Sequence, residues 1–427
     1  MQIRNVVVIF AILLSSWSIG NCSGYLFMQQ GGRANGMAGA FVATANDASS
    51  IFYNPGGMSF MNTQQFLIGG DIYYQSGNFE GSSPITDQTI SGNLRSRSFL
   101  MPSLYYVRPI NDKITVGVGI FRLFNYDTEW KEPEQFGGRF ISQRNYLSTW
   151  SFNPAIAYHI NSKLGIGLGF ELREIKFNFE KSMPLLIQQY DAIFDIAHLL
   201  IDSKKEWGLS FNIGAIYLLS DDIRIGLSYR HGMEKNIEAG AEFNILPISI
   251  SPGNNESIFS FPEGIVSVQS NIVLPSILSI GAAYQYDETL MVELDINWEK
   301  WDSMEEMRFN FADYPIYDMK IKKNYDNAFN IRFGLDKSLN STYYIQAGYA
   351  YEKSPISADG IDPLYWDANR HNLSFGLTLR KENIAINIYN SVILHQKANT
   401  DGQNQFGLNG SYKKLINILG ITFAYNW

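Results

Sequence analysis

The side chains that could do chemistry are few and scattered. The five histidines, His159, His198, His231, His371 and His395, fall in different segments without metal-ligand spacing. No Ser/His/acid set stands apart from the pattern around it, so nothing points to an enzyme, a bound metal or a cofactor. The run Gly31-Gly32-Arg33-Ala34-Asn35-Gly36-Met37-Ala38-Gly39-Ala40 is rich in glycine. It lacks a following Lys-Ser/Thr and follows no strand, which argues against a phosphate loop. What remains is cationic. Arg173, Arg224, Arg332 and Arg380 fall on the polar faces of alternating segments, and Arg370 follows Asp367 by three residues. An inward cation can bind the carboxylate of an anionic ligand. The simpler arrangement pairs it with an acid such as Glu171, Glu293, Asp295 or Asp336. Arg173, Arg332 and Arg370 are the candidates for the first role.

The elements that carry these residues repeat with period two. Leu290, Val292, Leu294, Ile296 and Trp298 share one face, and Met291, Glu293, Asp295 and Asn297 the other. Phe329, Ile331, Phe333 and Leu335 alternate with Asn330, Arg332, Gly334 and Asp336, and Leu373, Phe375, Leu377 and Leu379 alternate with polar or small residues. About fourteen such segments follow one another from residue 64 onward. Short turns fall at 109–112, 161–162, 220–221, 287–288, 340–341 and 381–383, and long connections between them. An apolar exterior touching lipid, short turns at one end and long loops at the other describe a transmembrane barrel. An even strand count places both ends of the barrel on the periplasmic side. The last segment ends Leu419, Ile421, Phe423, Tyr425, Trp427, an alternating strand with a terminal aromatic, the kind that barrel-insertion machinery recognises.

Composition agrees. The chain has 427 residues, 14% of them aromatic and 17% charged. No apolar run approaches the length of about 20 residues that a membrane helix needs. The net charge of −8 makes nucleic acid an unsuitable partner. Residues 1–24 read as a secretory signal peptide, with Arg4 before the apolar run Val6–Leu14. Cys22, the one cysteine, is preceded by Asn21 where lipid attachment prefers a small residue.

Residues 25–62 do not alternate. Asn46 or Asp47 can cap a short helix, and Asn54-Pro55-Gly56 is a turn. A mostly small segment of this length can fold inside a barrel lumen. The run Asp47-Ala48-Ser49-Ser50-Ile51-Phe52-Tyr53-Asn54-Pro55-Gly56-Gly57-Met58 resembles the FadL/TodX-type transporters of long-chain fatty acids and aromatic hydrocarbons, with Gly56 where that family commonly has alanine. Phe152-Asn153-Pro154-Ala155-Ile156-Ala157-Tyr158, Leu274-Pro275, Trp298 with Trp301, Gly348-Tyr349-Ala350-Tyr351-Glu352-Lys353-Ser354-Pro355, and Asp367 with Arg370 before Leu373-Ser374-Phe375-Gly376 match in the same order. The resemblance covers nearly the whole mature chain.

The resemblance implies an all-β fold: a 14-stranded antiparallel transmembrane barrel over 63–427, with a hatch over 25–62 inside the lumen. It implies gating residues at Asn54, Pro55 and Gly56, and passive uptake of a hydrophobic small molecule with lateral release into outer-membrane lipid. The family's lateral gap lies at a kink in the third strand. Here alternation breaks at Phe121, Arg122, Leu123 and Phe124, as at a bulge, or as where a strand leaves the bilayer. The spacing of Pro184, Leu186, Tyr190, Ile193, Ala197 and Leu200 predicts a helix in the loop after the fifth strand. Leu186, Tyr190, Ile193 and Phe194, with Ile258, Phe259 and Phe261 of a second apolar loop, are the expected outer ligand groove, or else a structural lid. A monomer is expected. A general porin and a surface-interaction barrel (adhesin or phage receptor) are the rival readings.

Overall fold

The computed structural model describes residues 30–82, 89–187, 192–246 and 261–427. The signal-peptide reading therefore lies outside the described residues. Fourteen strands form one closed antiparallel sheet. In chain order they are β1 (Gln65–Ser82), β2 (Arg97–Pro109), β3 (Ile114–Phe121 and Asn125–Glu129), β4 (Arg144–Asn161) and β5 (Leu164–Ile187). Next come β6 (Ala192–Ser203 and Glu206–Leu218), β7 (Ile223–Arg230 and Met233–Ile245), β8 (Ile265–Leu274 and Ile277–Gln285) and β9 (Leu290–Glu299). The last five are β10 (Ala328–Ser338), β11 (Tyr343–Glu352), β12 (Arg370–Lys381), β13 (Ile384–His395) and β14 (Gly410–Asn426). Closure comes from β1 against β14, in register from Gln65↔Asn426 to Gly81↔Gly410. With the sheet closed, backbone groups in the wall find partners without water except where a ladder breaks.

One chemistry makes the short turns. Asn111, Asn161, Asp287 and Asn340 each offer a side-chain oxygen to the backbone N–H groups two and three residues on, at 2.7–3.0 Å. Such turns reverse the chain within a few residues and fix the register of each hairpin.

Outward positions are apolar and exposed, among them Ile68, Ile72, Phe375, Leu419, Ile421 and Phe423. Inward positions are polar yet buried, among them Glu293, Asp295, Asn297, Asn330, Arg332 and Ser374. A polar inner face can be buried only if something polar fills the lumen.

The filler is the N-terminal segment. Its described residues hold two short helices, α1 (Gly32–Gly36) and α2 (Ser50–Tyr53), then a 3-10 turn at Pro55–Phe60. Helices this short do not hold alone; contacts with the wall hold them. Gly32 N–H donates to Thr422 Oγ1 of β14 (2.8 Å) and Asn212 Nδ2 of β6 to Ile51 O (2.8 Å). His159 Nδ1 of β4 meets Ser59 O (2.9 Å), and Arg230 Nη2 of β7 donates to Phe52 O (2.9 Å).

The loop after β5 departs from expectation. Where the spacing predicts a helix, residues 184–187 continue β5 and 192–203 form the outer part of β6. This stretch pairs with β5 on one side and with β7 on the other. Its Ile193, Ile196 and Ile201 favour the pleated surface, and two flanking ladders outweigh an apolar stripe that also fits a helix. Pro184 sits where the β5–β6 register shifts, a position a sheet tolerates.

Candidate functional site

Asn54 is anchored on three sides. It is fully buried; its Nδ2 donates to Val42 O (2.8 Å) and Ala215 O of β6 (3.0 Å), and its Oδ1 accepts Gly56 N–H (3.0 Å). One side chain thus ties the Asn54-Pro55-Gly56 turn to its own segment and to the wall. The wall makes room: a Cβ at Gly214 would lie 2.0 Å from Asn54 Oδ1. The same closeness explains glycine rather than alanine at 56. A Cβ there would lie 2.9 Å from Ala215 Cα and 3.0 Å from Gly214 O.

Two acids of β9 hold the segment's middle. Asp295 Oδ2 accepts the N–H groups of Phe41 (2.8 Å) and Val42 (3.0 Å). Glu293 accepts those of Ala43 (2.6 Å) and Thr44 (3.1 Å). Four successive amides thus point at two carboxylates. Arg33 pairs with Asp336 of β10 at 2.6 Å. Burial pulls its pKa down, but the charges of Asp336 and Asp47 more than offset this and hold it above the ordinary value.

The wall has a fault at β3. Phe121 stands opposite Ser151 of β4, and Asn125 opposite Ser148. Four steps on β3 therefore match three on β4, so one residue is extra. This is a bulge at Arg122–Phe124, and it turns Phe121, Leu123 and Phe124 all inward to full burial. Arg122 lies over the Trp150 ring, 4.4 Å from its centroid. On the other side, β2 pairs with β3 only from Leu104↔Ile120 to Pro109↔Thr115. Above that, Arg97–Ser103 is in ladder with β1 alone. The opening is closed at its top by the Leu94↔Trp130 bridge and by ion pairs of Arg95 and Arg97 with Asp127 and Glu129. Behind it sits an apolar cluster of Tyr73, Phe99, Met101, Tyr389, Ile393 and Ile416.

Gln30 spans this fault. Its Nε2 donates to Arg122 O on the β3 bulge (2.8 Å), and its Oε1 accepts from Tyr105 Oη on β2 (2.8 Å). The beginning of the described N-terminal segment is therefore bonded to both margins of the opening.

The predicted carboxylate partners are already engaged. Arg173 and Arg230 both pair with Glu171, and Arg332 and Arg370 both pair with Glu352. Arg370 also lies 3.7 Å from Asp367. Burial makes such pairing necessary. Arg173 nonetheless keeps Nη1 without a hydrogen bond, beside Phe124 of the bulge.

Of the expected outer groove, Tyr190, Ile258 and Phe259 lie outside the described residues. Leu186 lies in β5, Ile193 is half-buried and Phe194 exposed, both in the outer part of β6. Phe261 is buried, with its ring 5.4 Å from Phe243 and 5.9 Å from Tyr317. Sequence reasoning missed Gln30 and the two β9 acids as holders of the segment; a period-two pattern marks them only as inward or unassigned.

The model of the outer membrane protein transport protein family (OMPP1/FadL/TodX) matches residues 18–427. The chain belongs to this family. A long-chain fatty acid transport protein of Escherichia coli O6:H1 is 25% identical over 98% of this chain and 97% of its own length. Outer membrane protein P1 of Haemophilus influenzae is 23% identical over 73% of each. Among solved structures, a Pseudomonas aeruginosa FadL homologue superposes with a TM-score of 0.82 at 16% identity, covering 94% of this chain and 99% of that one. The Pseudomonas putida toluene transporter TodX gives 0.65 at 16% identity, covering 93% and 98%. These likenesses carry the fold. The family and the closed barrel together place the protein in the outer membrane.

Proposed function

We propose that this protein takes up hydrophobic small molecules, long-chain fatty acids or hydrocarbons, by passive diffusion through a gated barrel with lateral release. The observation that carries the reading is the coincidence of two features. A segment fills the lumen, and its Gln30 bonds both margins of an opening in the wall. In this reading the segment over 25–62 is a hatch. Ligand enters through the outer loops and passes aromatic side chains of the upper lumen, such as Trp130, Tyr126 and Tyr365. A shift of the hatch frees Gln30 from Arg122 and Tyr105, and the ligand leaves past Tyr73, Phe99 and Met101 into the bilayer. An apolar molecule on this route never has to be released into water. The polar chemistry of the hatch, with its engaged acids and arginines, holds a plug rather than reacting with a substrate. The relatives named above are transport and outer membrane proteins, which supports the same class for this chain. A general porin needs an open lumen, and the filled lumen disfavours it.

The test is uptake of a labelled long-chain fatty acid and a labelled aromatic hydrocarbon by a strain that lacks its own transporter. Uptake of either above an empty-vector control is the expected result. Folded barrel in the outer membrane with uptake of neither would overturn the reading in favour of a surface-interaction protein.

A further inference from the structure

The wall has a second fault at the outer end of β13. Pairing of β13 with β14 stops at Leu394↔Leu415 and resumes only at Ala398↔Tyr412. Between these points Lys413 and Lys414 pair on their other side with Asn78 and Gly77 of β1. A cavity of about 600 Å3 opens here, lined by Asn78, Asn93, His395, Lys397, Lys413 and Lys414. Its level is set by the residues below it. Outward positions of β14 from Leu415 down to Trp427 are mostly apolar and exposed. Lys413 stands just above that band, where outer-leaflet headgroups lie.

The cavity is charged and under-partnered. Lys414 is buried, with its Nζ 4.5 Å from the Tyr365 ring and 4.9 Å from the Trp366 ring; it donates to Trp366 O at 2.6 Å. Among the described residues no carboxylate lies within 4 Å of it, whereas buried Lys323 has Asp362 at 2.7 Å and Arg33 has Asp336 at 2.6 Å. His395 has no hydrogen bond at either ring nitrogen; its nearest acid is Asp367, 3.4 Å from Nε2. The Asp367 carboxylate in turn accepts no hydrogen bond and lies 3.7 Å from Arg370. Lys397 and Lys413 are exposed, and among the described residues neither has a carboxylate within 4 Å. Lys414 alternates with the exposed Lys413 and Leu415 and so lies on the inner face, which leaves Lys397 and Lys413 as the exposed cations of the cavity.

We propose that this cavity binds the phosphorylated headgroup of an outer-leaflet lipid. Lys397 and Lys413 meet the phosphate, and the acyl chains lie along the outward Leu394, Leu415 and Leu419. Lysine serves phosphate as a point charge, and two exposed ammoniums with no carboxylate within 4 Å among the described residues leave their charge for a multiply charged phosphate. The site is separate from the β3 fault and from the hatch, so its failure leaves the transport reading untouched.

The test uses the folded full-length barrel in nonionic detergent, titrated with lipid A, with lipid A stripped of phosphate, and with oleate. Lipid A is expected to bind at least about ten-fold tighter than the other two, and Lys397→Gln with Lys413→Gln to weaken it by about ten-fold or more. These two side chains are exposed, so the double variant keeps the barrel; its heat-modifiable migration checks this. Equal binding of the dephosphorylated lipid would mean adsorption by acyl chains alone and overturn the proposal. Tighter binding of oleate would also overturn it, by assigning the site to the transported ligand. So would lipid A binding that is indifferent to both lysines.

Discussion

At the scale of single residues, hydrogen bonds in the lumen decide how firmly the N-terminal segment is seated. Asn54→Ala removes two donated bonds and one accepted bond in a fully buried place. Each carbonyl or amide left unsatisfied costs about 1–3 kcal/mol. Uptake of labelled ligand is expected to fall, and protease sensitivity of the N-terminal segment to rise, with the barrel intact. Wild-type uptake would reduce Asn54 to a dispensable turn residue. Gln30→Ala acts in the opposite direction. It cuts the bonds to Arg122 O and Tyr105 Oη but leaves the backbone N–H of residue 30 on Tyr53 Oη. Losing about 1 kcal/mol of closure should speed initial uptake by roughly five-fold. An unchanged rate would mean that the opening and the hatch move independently.

At the scale of elements, the β3 bulge is the sharpest case, because it is one residue. Deleting Leu123 lets the outer part of β3 run in the register of its inner part, with Phe121 and the residues beyond it alternating again. The outer part of β3 can then pair with Arg97–Ser103 of β2, which now lack a partner on that side. The variant should fold, keep its heat-modifiable migration, and lose most uptake. Full uptake in a folded variant would separate the bulge from the exit route. Only the break was visible beforehand: Phe121-Arg122-Leu123-Phe124 interrupts a clean alternation, which fits a bulge or a strand leaving the bilayer alike, and the register against β4 is what distinguishes them. The fourteen strands and their turns were legible for the same reason, since a lipid-facing wall imposes period two on every strand. The stretch 192–203 was not. Its isoleucines and leucines satisfy a helical stripe and a pleated strand alike, and only the flanking ladders of β5 and β7, distant in sequence, choose between them. The partners of Arg173 and Arg332 were half legible. Their inward faces could be read, but not that Glu171 and Glu352 would each take two arginines.

At the scale of the whole molecule, wall and filler rest on different physics. The wall stands on a closed ladder and an apolar outer face, and neither involves the N-terminal segment. The filler stands on polar contacts with the inner face: Asp295 and Glu293 on four amides, Arg332 Nη1 on Ala38 O at 2.7 Å, Thr422 on Gly32. Removing the filler leaves these wall groups facing water rather than apolar protein. They lose hydrogen-bond partners but gain hydration, so the penalty of burial does not arise. Deletion of residues 25–45 should therefore leave a barrel that folds and resists heat in detergent. It takes away Gln30, α1 and the amides of 41–44 together, so the lumen opens to water and the β3 opening loses its tie. Planar-bilayer conductance of small ions should rise above that of the intact protein, and uptake of the labelled hydrophobic ligand should be disturbed. An unfolded deletion variant would show that hatch and barrel are one folding unit. A folded variant with unchanged conductance and unchanged uptake would show that residues 46–62 alone close the pore, and would shift the gate to the Asn54 turn.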